Sequence, residues 1–317
     1  MVKFSVIVTV YNTESYLEKC LESIAQQTYE KFEVVIVNDG STDNSQKIID
    51  KFVKNDKRFK SFVKENSGIA DTRNYALTKI KGEYFLFVDG DDSINPELLE
   101  RMADYVADKS LDLVKFNAKK FYNEKDFDIE ENEIFSKLSG EEAFNLLNNN
   151  SLFDTVWSYA YKKSFWDKNN FSFSVGKIHE DFGLIPYVVV KADYVASTGY
   201  VGYNYYVRQN SIMTAKTEQR KKQKIEDNLF HFDNLLKIIN GDEDVSIKTK
   251  EIFKSYIANS LINKCVMLDG VSLKKYIKIL KDKKVYQFLL DDTLARKVKK
   301  IIFKIWPSLY VKVIIKR

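Results

Sequence analysis

The sequence predicts an α/β protein: a mostly parallel sheet flanked by helices, followed by a mainly helical C-terminal region. Three observations predict it. Over the first 122 residues, apolar β-branched runs alternate with stretches whose apolar residues recur at helical spacing, the order of a doubly wound sheet. Those runs end in polar turn residues, so the loops after successive parallel strands would gather at one edge, where ligands of such sheets bind. From residue 217 onward helical patterns continue with little turn chemistry except Asn240-Gly241-Asp242 and Asp269-Gly270. The expected division is 1–215, with a first half 1–122 and a less regular second half 123–215, then 216–317.

The elements follow in order. Phe4 to Val10 is a β-branched strand. Thr13 is placed to cap a helix whose Leu17, Cys20, Leu21 and Ile24 form one apolar face. Phe32 to Val37 is the next strand, and Thr42 or Asp43 is placed to cap a helix carrying Ile48, Ile49 and Phe52. Arg58 to Val63 is a weaker strand, and 69–80 fits a helix. Tyr84 to Val88 is a buried strand, Asn95-Pro96 reads as a cap followed by proline at the first helical position, and Leu111 to Phe121 is a further strand. Ser139-Gly140-Glu141-Glu142 has the form of a capping box ahead of Ala143, Phe144, Leu146 and Leu147.

Composition bounds the class. The chain has 317 residues, 44% hydrophobic and 30% charged, enough for about two packed domains. Cys20 and Cys265 match no metal or redox spacing and read as ordinary thiols of a reducing compartment. After Met1-Val2-Lys3 the chain enters a strand directly and no apolar run is long enough to span a bilayer, so a cytoplasmic location is expected. The net charge of +5 hides an asymmetry: 271–317 carries 14 Lys/Arg against 3 Asp, +11, leaving −6 for the rest. A basic tail on a mildly acidic body implies an anionic partner.

The densest chemistry is Asp89-Gly90-Asp91-Asp92, at the end of the Tyr84 to Val88 strand. Three carboxylates so close repel one another unless a cation sits among them, and hard oxygen ligands suit Mg²⁺ or Mn²⁺, which in turn suit a diphosphate. The other strand-end loops are Thr9-Val10-Tyr11-Asn12, Asn38-Asp39-Gly40-Ser41-Thr42-Asp43 and Asn66-Ser67-Gly68. Singly each is plain turn or cap chemistry, and Arg73 on its helix is by default a surface arginine. Together they form a pocket for a base, a ribose and a metal-bound diphosphate. A Gly-x-Gly-x-x-Gly after the first strand and a P-loop are both absent, which argues against dinucleotide enzymes and P-loop nucleotidases.

Ser5 to Asn12, Val35 to Ser45, Asn66 to Asn74 and Phe87 to Asp92 resemble, in order and spacing, the successive motifs of family 2 glycosyltransferases with the GT-A fold. The resemblance implies a nucleotide-sugar donor, usually a UDP-sugar, and Mn²⁺ or Mg²⁺ at the DxD-type motif. It places Thr9, Tyr11 and Asp39 around the uridine, with the Asn66 loop and Arg73 near base or phosphates, Asp89 on the ribose side and Asp91 on the metal. Thr9 stands where proline is frequent, Thr72 where alanine is usual and Gly90 where serine is usual; none of these removes a charge. In the second half, Glu180 and Asp181 of His179-Glu180-Asp181 resemble the family's acceptor-side pair, whose aspartate is the general base; read without the resemblance, they are a loop capping the next helix. Arg208, in Tyr205-Tyr206-Val207-Arg208, is placed to clamp the departing pyrophosphate or is a strand-end surface arginine.

The expected function is therefore inverting, metal-dependent transfer of a hexosyl or N-acetylhexosaminyl group from a UDP-sugar to a glycan or lipid-linked acceptor in bacterial surface-polysaccharide (cell wall or capsule) synthesis. The alternative is a sugar-nucleotide-binding scaffold without transferase activity. A sugar-nucleotide pyrophosphorylase would want a Gly-rich basic loop after the first strand, where Tyr11-Asn12-Thr13-Glu14 stands. The tail, 296–317, has eight basic residues, no acidic ones, and Ile301, Ile302, Phe303, Ile305, Trp306, Leu309 and Tyr310 among them. That mixture fits a helix lying in an anionic membrane interface, peripheral on the inner face of the cell membrane; the other reading is a helix packed on the body. No recognised nucleic-acid module accompanies the charge.

Overall fold

The computed structural model describes residues 2–107, 110–122, 126–150, 152–207, 217–268 and 270–311. They fall into two compact units, Met1–Ala215 and Lys216–Arg317. Unit 1 is built on one mixed sheet. Its strands are β1 (Phe4–Val10), β2 (Phe32–Asn38), β3 (Phe59–Val63), β4 (Tyr84–Asp89), β5 (Ser93–Ile94), β6 (Leu113–Phe121), β7 (Phe127–Glu130), β8 (Phe135–Leu138), β9 (Tyr159–Lys162) and β10 (Val195–Tyr206). Its helices are α1 (Glu14–Ala25), α2 (Ser45–Asn55), α3 (Ile69–Leu77), α4 (Leu98–Tyr105), α5 (Gly140–Leu147), α6 (Lys163–Lys168) and α7 (Ile185–Lys191).

The sheet order is β3-β2-β1-β4-β9-β6-β10-β5, with β7 on β6 and β8 on β10. The block β3-β2-β1-β4 is wholly parallel. β1 and β2 are buried on both faces, which is why they read as unbroken apolar runs rather than alternating ones. Register puts Thr9 beside Asp89, Val10 beside Asn38, and Asn38 beside Val63. The loops after four strands therefore leave one edge side by side. Beyond β4 the sheet turns mixed: β9 is antiparallel to both β4 and β6, while β10 runs parallel to β6.

Local chemistry explains most element boundaries. On α1, Leu17, Cys20, Leu21 and Ile24 are buried as the spacing predicts. Thr13 does not cap that helix with its side chain; the carboxylate of Asp43, from the neighbouring loop, accepts from the Glu14 N–H at 2.9 Å and also from the Ser45 N–H at 3.0 Å. One aspartate thus serves the first turns of α1 and α2 together. The Ser139 capping box is present, with Glu142 N–H on Ser139 Oγ and Ser139 N–H on Glu142 Oε2. The expected cap at Asn95-Pro96 is corrected: α4 starts at Leu98, because the Asn95 amide is drawn 2.6 Å to the carbonyl of Val201.

Unit 2 is helical: α8 (Glu218–Gly241), α9 (Ile247–Asn263), α10 (Gly270–Asp282), α11 (Leu294–Ile305) and α12 (Pro307–Tyr310). Phe232, Leu235, Ile239, Phe253, Ile257, Leu261, Tyr276 and Leu280 are buried. No described helix is long and apolar enough to cross a membrane. Cys20 and Cys265 are buried free thiols.

Candidate active site

The site is built at the parallel edge, and its first part is the loop around Asp39. This residue follows β2 and is 3% exposed. Its backbone N–H donates to the Val10 carbonyl at 2.9 Å. Its Oδ1 accepts from Lys64 Nζ at 2.8 Å and the Ser67 N–H at 3.0 Å, and its Oδ2 accepts from the Gly68 N–H at 2.9 Å. Asn66 Nδ2 donates to the Asp39 carbonyl at 3.0 Å. Gly68 ends this loop with φ +91°, in the left-handed region that favours glycine. Asp39 therefore organises the 64–68 loop at the start of α3. Tyr11, half exposed at 51%, stands in the adjoining loop, which Asn12 fastens by accepting from the Thr42 N–H at 2.8 Å. Ser67 and Gly68 are exposed, so water can take over their N–H groups, and what removal of the carboxylate loses is the net worth of two hydrogen bonds to a charged group, roughly 1.5–3 kcal/mol each. On the resemblance to family 2 glycosyltransferases, which puts Asp39 at the uridine of a nucleotide-sugar donor, Asp39→Ala is expected to raise the donor KM about ten- to a hundredfold, and Asp39→Asn less, because its amide oxygen still accepts; initial-rate kinetics over donor concentration check this.

The second part is the acidic loop after β4. Asp89 Oδ1 accepts from Thr9 Oγ1 at 3.3 Å and from Arg73 Nη2 at 2.9 Å, and its side chain remains 27% exposed. Asp91 is partly exposed. Asp92 is different. It is 2% exposed, and its carboxylate accepts from Tyr203 Oη at 2.8 Å and from the Tyr206 N–H at 2.9 Å. Tyr203 Oη in turn accepts from the Asp89 N–H at 3.1 Å, and its ring stacks on Trp157 at 4.3 Å. Burial, then the charges of Asp91 and Asp89, push the Asp92 pKa well above the ordinary carboxylate range. The expectation of three carboxylates around one cation is corrected accordingly: Asp92 belongs to the interior, held by β10.

Among the described residues no group of three or more His, Cys, Asp or Glu side chains is placed to hold a metal ion. On the resemblance to family 2 glycosyltransferases, Asp91 is the carboxylate that would hold the ion, with the part-exposed Asp89 two residues before it as a second donor. That set fits Mg²⁺ or Mn²⁺ beside a diphosphate, since such ions take one or two carboxylates and complete their shell with phosphate oxygens and water.

The third part is the Glu180–Asp181 turn ahead of α7. The backbone approaches it through His179 in the left-handed region, φ +58°. Glu180 is buried at 7%, and its Oε1 is ion-paired with Arg73 Nη1. Asp181 Oδ1 accepts from the Phe182 N–H at 2.8 Å, and its carbonyl accepts from the Leu184 and Ile185 N–H groups. Burial, then Glu180 and Asp154, raise the Asp181 pKa well above the usual range, while Arg73 opposes the rise.

Arg73 ties the parts together. It lies on α3, is 3% exposed, and its guanidinium carbon sits 5.7 Å from the Phe87 ring centroid and 5.8 Å from that of Phe173. It grips Asp89 with one nitrogen and Glu180 with the other. The surface-arginine reading is corrected: the side chain is an interior bridge between the β4 loop and the Glu180 turn. The next residue, Asn74, clamps Phe173 through both backbone groups, at 2.8 and 2.9 Å. The structure thus links Thr9, Asp89 and Arg73 to the Glu180–Asp181 turn and joins Asn66 to Asp39 at the neighbouring strand end; Tyr11 stands exposed two residues after Thr9, and Arg208 lies outside the described residues.

Sequence reasoning missed one residue here and a buried lysine elsewhere in the same unit. Tyr203 is the buried partner of Asp92. Lys115, on β6, donates to Leu152 O at 3.0 Å and Ser158 Oγ at 2.9 Å, and burial lowers its pKa to about 7. Its only signal is a lysine inside the apolar run Leu113-Val114-Lys115-Phe116.

A parallel sheet whose strand-end loops meet acidic residues, with a second carboxylate pair bridged to them from a later segment, defines an α/β domain of the GT-A-like class. Residues 5–168 match the family model described as glycosyl transferase family 2, and the chain belongs to that family. It is 33% identical over 230 residues to the glycosyltransferase GlyA of Streptococcus pneumoniae, covering 68% of this chain and 32% of that one. Over 123 residues it is 42% identical to the poly(ribitol-phosphate) β-N-acetylglucosaminyltransferase TarS of Staphylococcus aureus, covering 38% of this chain and 21% of that one. The chain spans about a third to a half of the length of the first curated relatives it matches. The crystal structure of residues 1–349 of S. aureus TarS in complex with UDP-GlcNAc superposes with a TM-score of 0.71 at 21% identity, covering 97% of this chain and 85% of that one. The mannosyltransferase PcManGT from Pyrobaculum calidifontis in complex with GDP-Man and Mn²⁺ superposes with a TM-score of 0.55 at 15% identity, covering 96% and 87%. These superpositions show the shared fold.

Proposed function

We propose that the chain transfers a sugar, with inversion, from a UDP-sugar to a hydroxyl of a glycan or lipid-linked acceptor in surface-polysaccharide synthesis, at the inner face of the cell membrane. The observation that carries this reading is the Arg73 bridge: it sets the Asp89 loop and the Glu180–Asp181 turn at one place on the parallel edge. The UDP-GlcNAc complex of the TarS relative supports a uridine donor carrying an N-acetylhexosamine.

In this reading Tyr11 faces the base, while Asp39, through the 64–68 loop, shapes the uridine pocket. Asp89, oriented by Thr9 and Arg73, meets the ribose side. Asp91 would hold the divalent ion, with Asp89 beside it. The ion, when bound, neutralises charge developing on the departing diphosphate. Asp181 takes the acceptor's hydroxyl proton as that oxygen attacks the anomeric carbon from the face opposite the nucleotide. Glu180, neutralised by Arg73, fixes the turn that carries Asp181. One base and no enzyme nucleophile give inversion.

The test is a screen of the purified protein against a panel of nucleotide sugars with Mn²⁺, reading donor turnover and, by NMR, the anomeric configuration of the product. Turnover of a UDP-sugar with an inverted product is expected. EDTA should suppress turnover, and Mn²⁺ or Mg²⁺ should restore it. Asp91→Ala should weaken UDP binding in Mn²⁺ by about tenfold or more, read by calorimetry. Full activity in EDTA would remove the metal from Asp91. UDP binding without turnover on any acceptor would make the chain a nucleotide-sugar-binding scaffold instead.

A further inference from the structure

We propose that the exposed apolar face of α11 is a docking surface for an anionic lipid bilayer, on which the helix lies side-on. This rests on the membrane location proposed above and assigns it to particular side chains. One side of α11 is anchored within unit 2: Phe303 is 1% exposed, and its ring packs edge-on against Tyr310 at 5.2 Å. The opposite side is open. Leu294 is 78% exposed, Val298 46%, Ile301 52% and Ile305 51%. These stand at i, i+4, i+7 and i+11, a single stripe along the helix. Trp306 and Leu309, 59% and 48% exposed, follow in the chain just past the helix end. A helix that already buries one face has no need of four large apolar residues on the other, with two more exposed just beyond its end, and contiguous exposure of this kind marks an interaction surface.

The charges select the partner. Arg296 is paired with Asp292 at 2.7 Å and Lys300 with Asp291 at 3.1 Å, so the molecule neutralises these two itself. Among the described residues no carboxylate pairs with Lys297, Lys299 or Lys304; the Lys304 amine lies 5.6 Å from the Tyr286 ring. On the helical wheel Lys297 and Lys304 lie roughly 70–90° from the centre of the stripe. That is the rim from which a long side chain reaches headgroups while the stripe enters the acyl boundary. A second copy of the same face would set these cations against each other; anionic headgroups neutralise them. No described helix can cross a bilayer, so the contact is one of lying on the surface. Trp306 supplies the amphipathic ring favoured at that depth.

The experiment is flotation of the full chain with phosphatidylcholine vesicles, with and without phosphatidylglycerol, over a range of salt. Wild type should float with the anionic vesicles and release as salt rises. Ile301→Ser combined with Ile305→Ser should weaken binding at least about tenfold. Lys297→Glu combined with Lys304→Glu should abolish the preference for phosphatidylglycerol. Donor hydrolysis and the thermal midpoint should stay unchanged in both variants, which separates lost docking from lost folding. Failure of wild type to float would overturn the membrane location itself. Flotation that survives the serine pair would overturn this face alone. A dimer in light scattering that the serine pair dissociates, without vesicle binding, would give the face to a second copy and overturn the proposal.

Discussion

Asp181→Asn is expected to lower kcat by about 10²–10⁴-fold while leaving UDP affinity near wild type in calorimetry with Mn²⁺. The amide keeps the shape and the hydrogen bond from the Phe182 N–H, but it takes no proton. Because a base acts on the acceptor, the donor half should not notice the change. Glu180→Gln is the control and should be milder, since Glu180 holds the turn through Arg73 rather than meeting the acceptor. Near-normal turnover by Asp181→Asn with collapse in Glu180→Gln would transfer the role to Glu180; near-normal turnover by both would remove the turn from the mechanism.

The same substitution has a stability consequence of opposite sign. Burial raises the Asp181 pKa in the fold, with Glu180 and Asp154 adding to the rise. A group whose pKa is raised on folding contributes stability below its unfolded pKa and loses it as pH climbs through the folded one. Wild type therefore gives up stability from the ordinary aspartate pKa upward, and the asparagine variant does not. The thermal midpoint of Asp181→Asn should exceed that of wild type by a margin that widens with pH. Turnover in wild type should rise with pH through the same raised pKa, since only the ionised carboxylate accepts a proton.

Arg73→Gln carries the second large effect. It removes the countercharge from Asp89 and from Glu180 at once, and the Glu180 side chain is only 8% exposed. Breaking a buried ion pair from one side costs about 3–5 kcal/mol, which for a domain of this size lowers the thermal midpoint by roughly 10 °C. Turnover should fall through both kcat and donor KM, because the two grips serve different halves of the site. Arg73→Lys keeps the charge but not the fork, reaches one partner at a time, and should fall between. A midpoint unchanged in Arg73→Gln would show that the bridge carries no energy.

What was legible in the sequence was whatever depends on near neighbours. β1, β2 and β4 could be read because strands buried on both faces are continuous apolar runs, and the Ser139 box because its bonds span three residues. The helical character of unit 2 followed from period alone. What could not be read depends on partners far along the chain. Asp92 looks like its neighbours Asp89 and Asp91 until Tyr203 and Tyr206, more than a hundred residues later, turn it inward. Arg73 looks like a surface residue because its second carboxylate is 107 positions away. The late start of α4 has the same origin, since Val201 holds Asn95 out of the helix. β7 and β8 are short and largely exposed, with no periodicity to announce them.

α3 is nine residues long, too short to persist as a helix on its own. It is held by what it grips: Asp39 at its N-terminal loop, Asp89 and Glu180 through Arg73, and Phe173 through Asn74. Other contacts already join some of these segments, since Thr9 binds Asp89, the Asp39 N–H binds the Val10 carbonyl and Phe173 packs on Phe87. What α3 adds is one short element that fastens all four at once. Hydrogen exchange of the α3 amides should therefore report an opening shared with the loops they fasten.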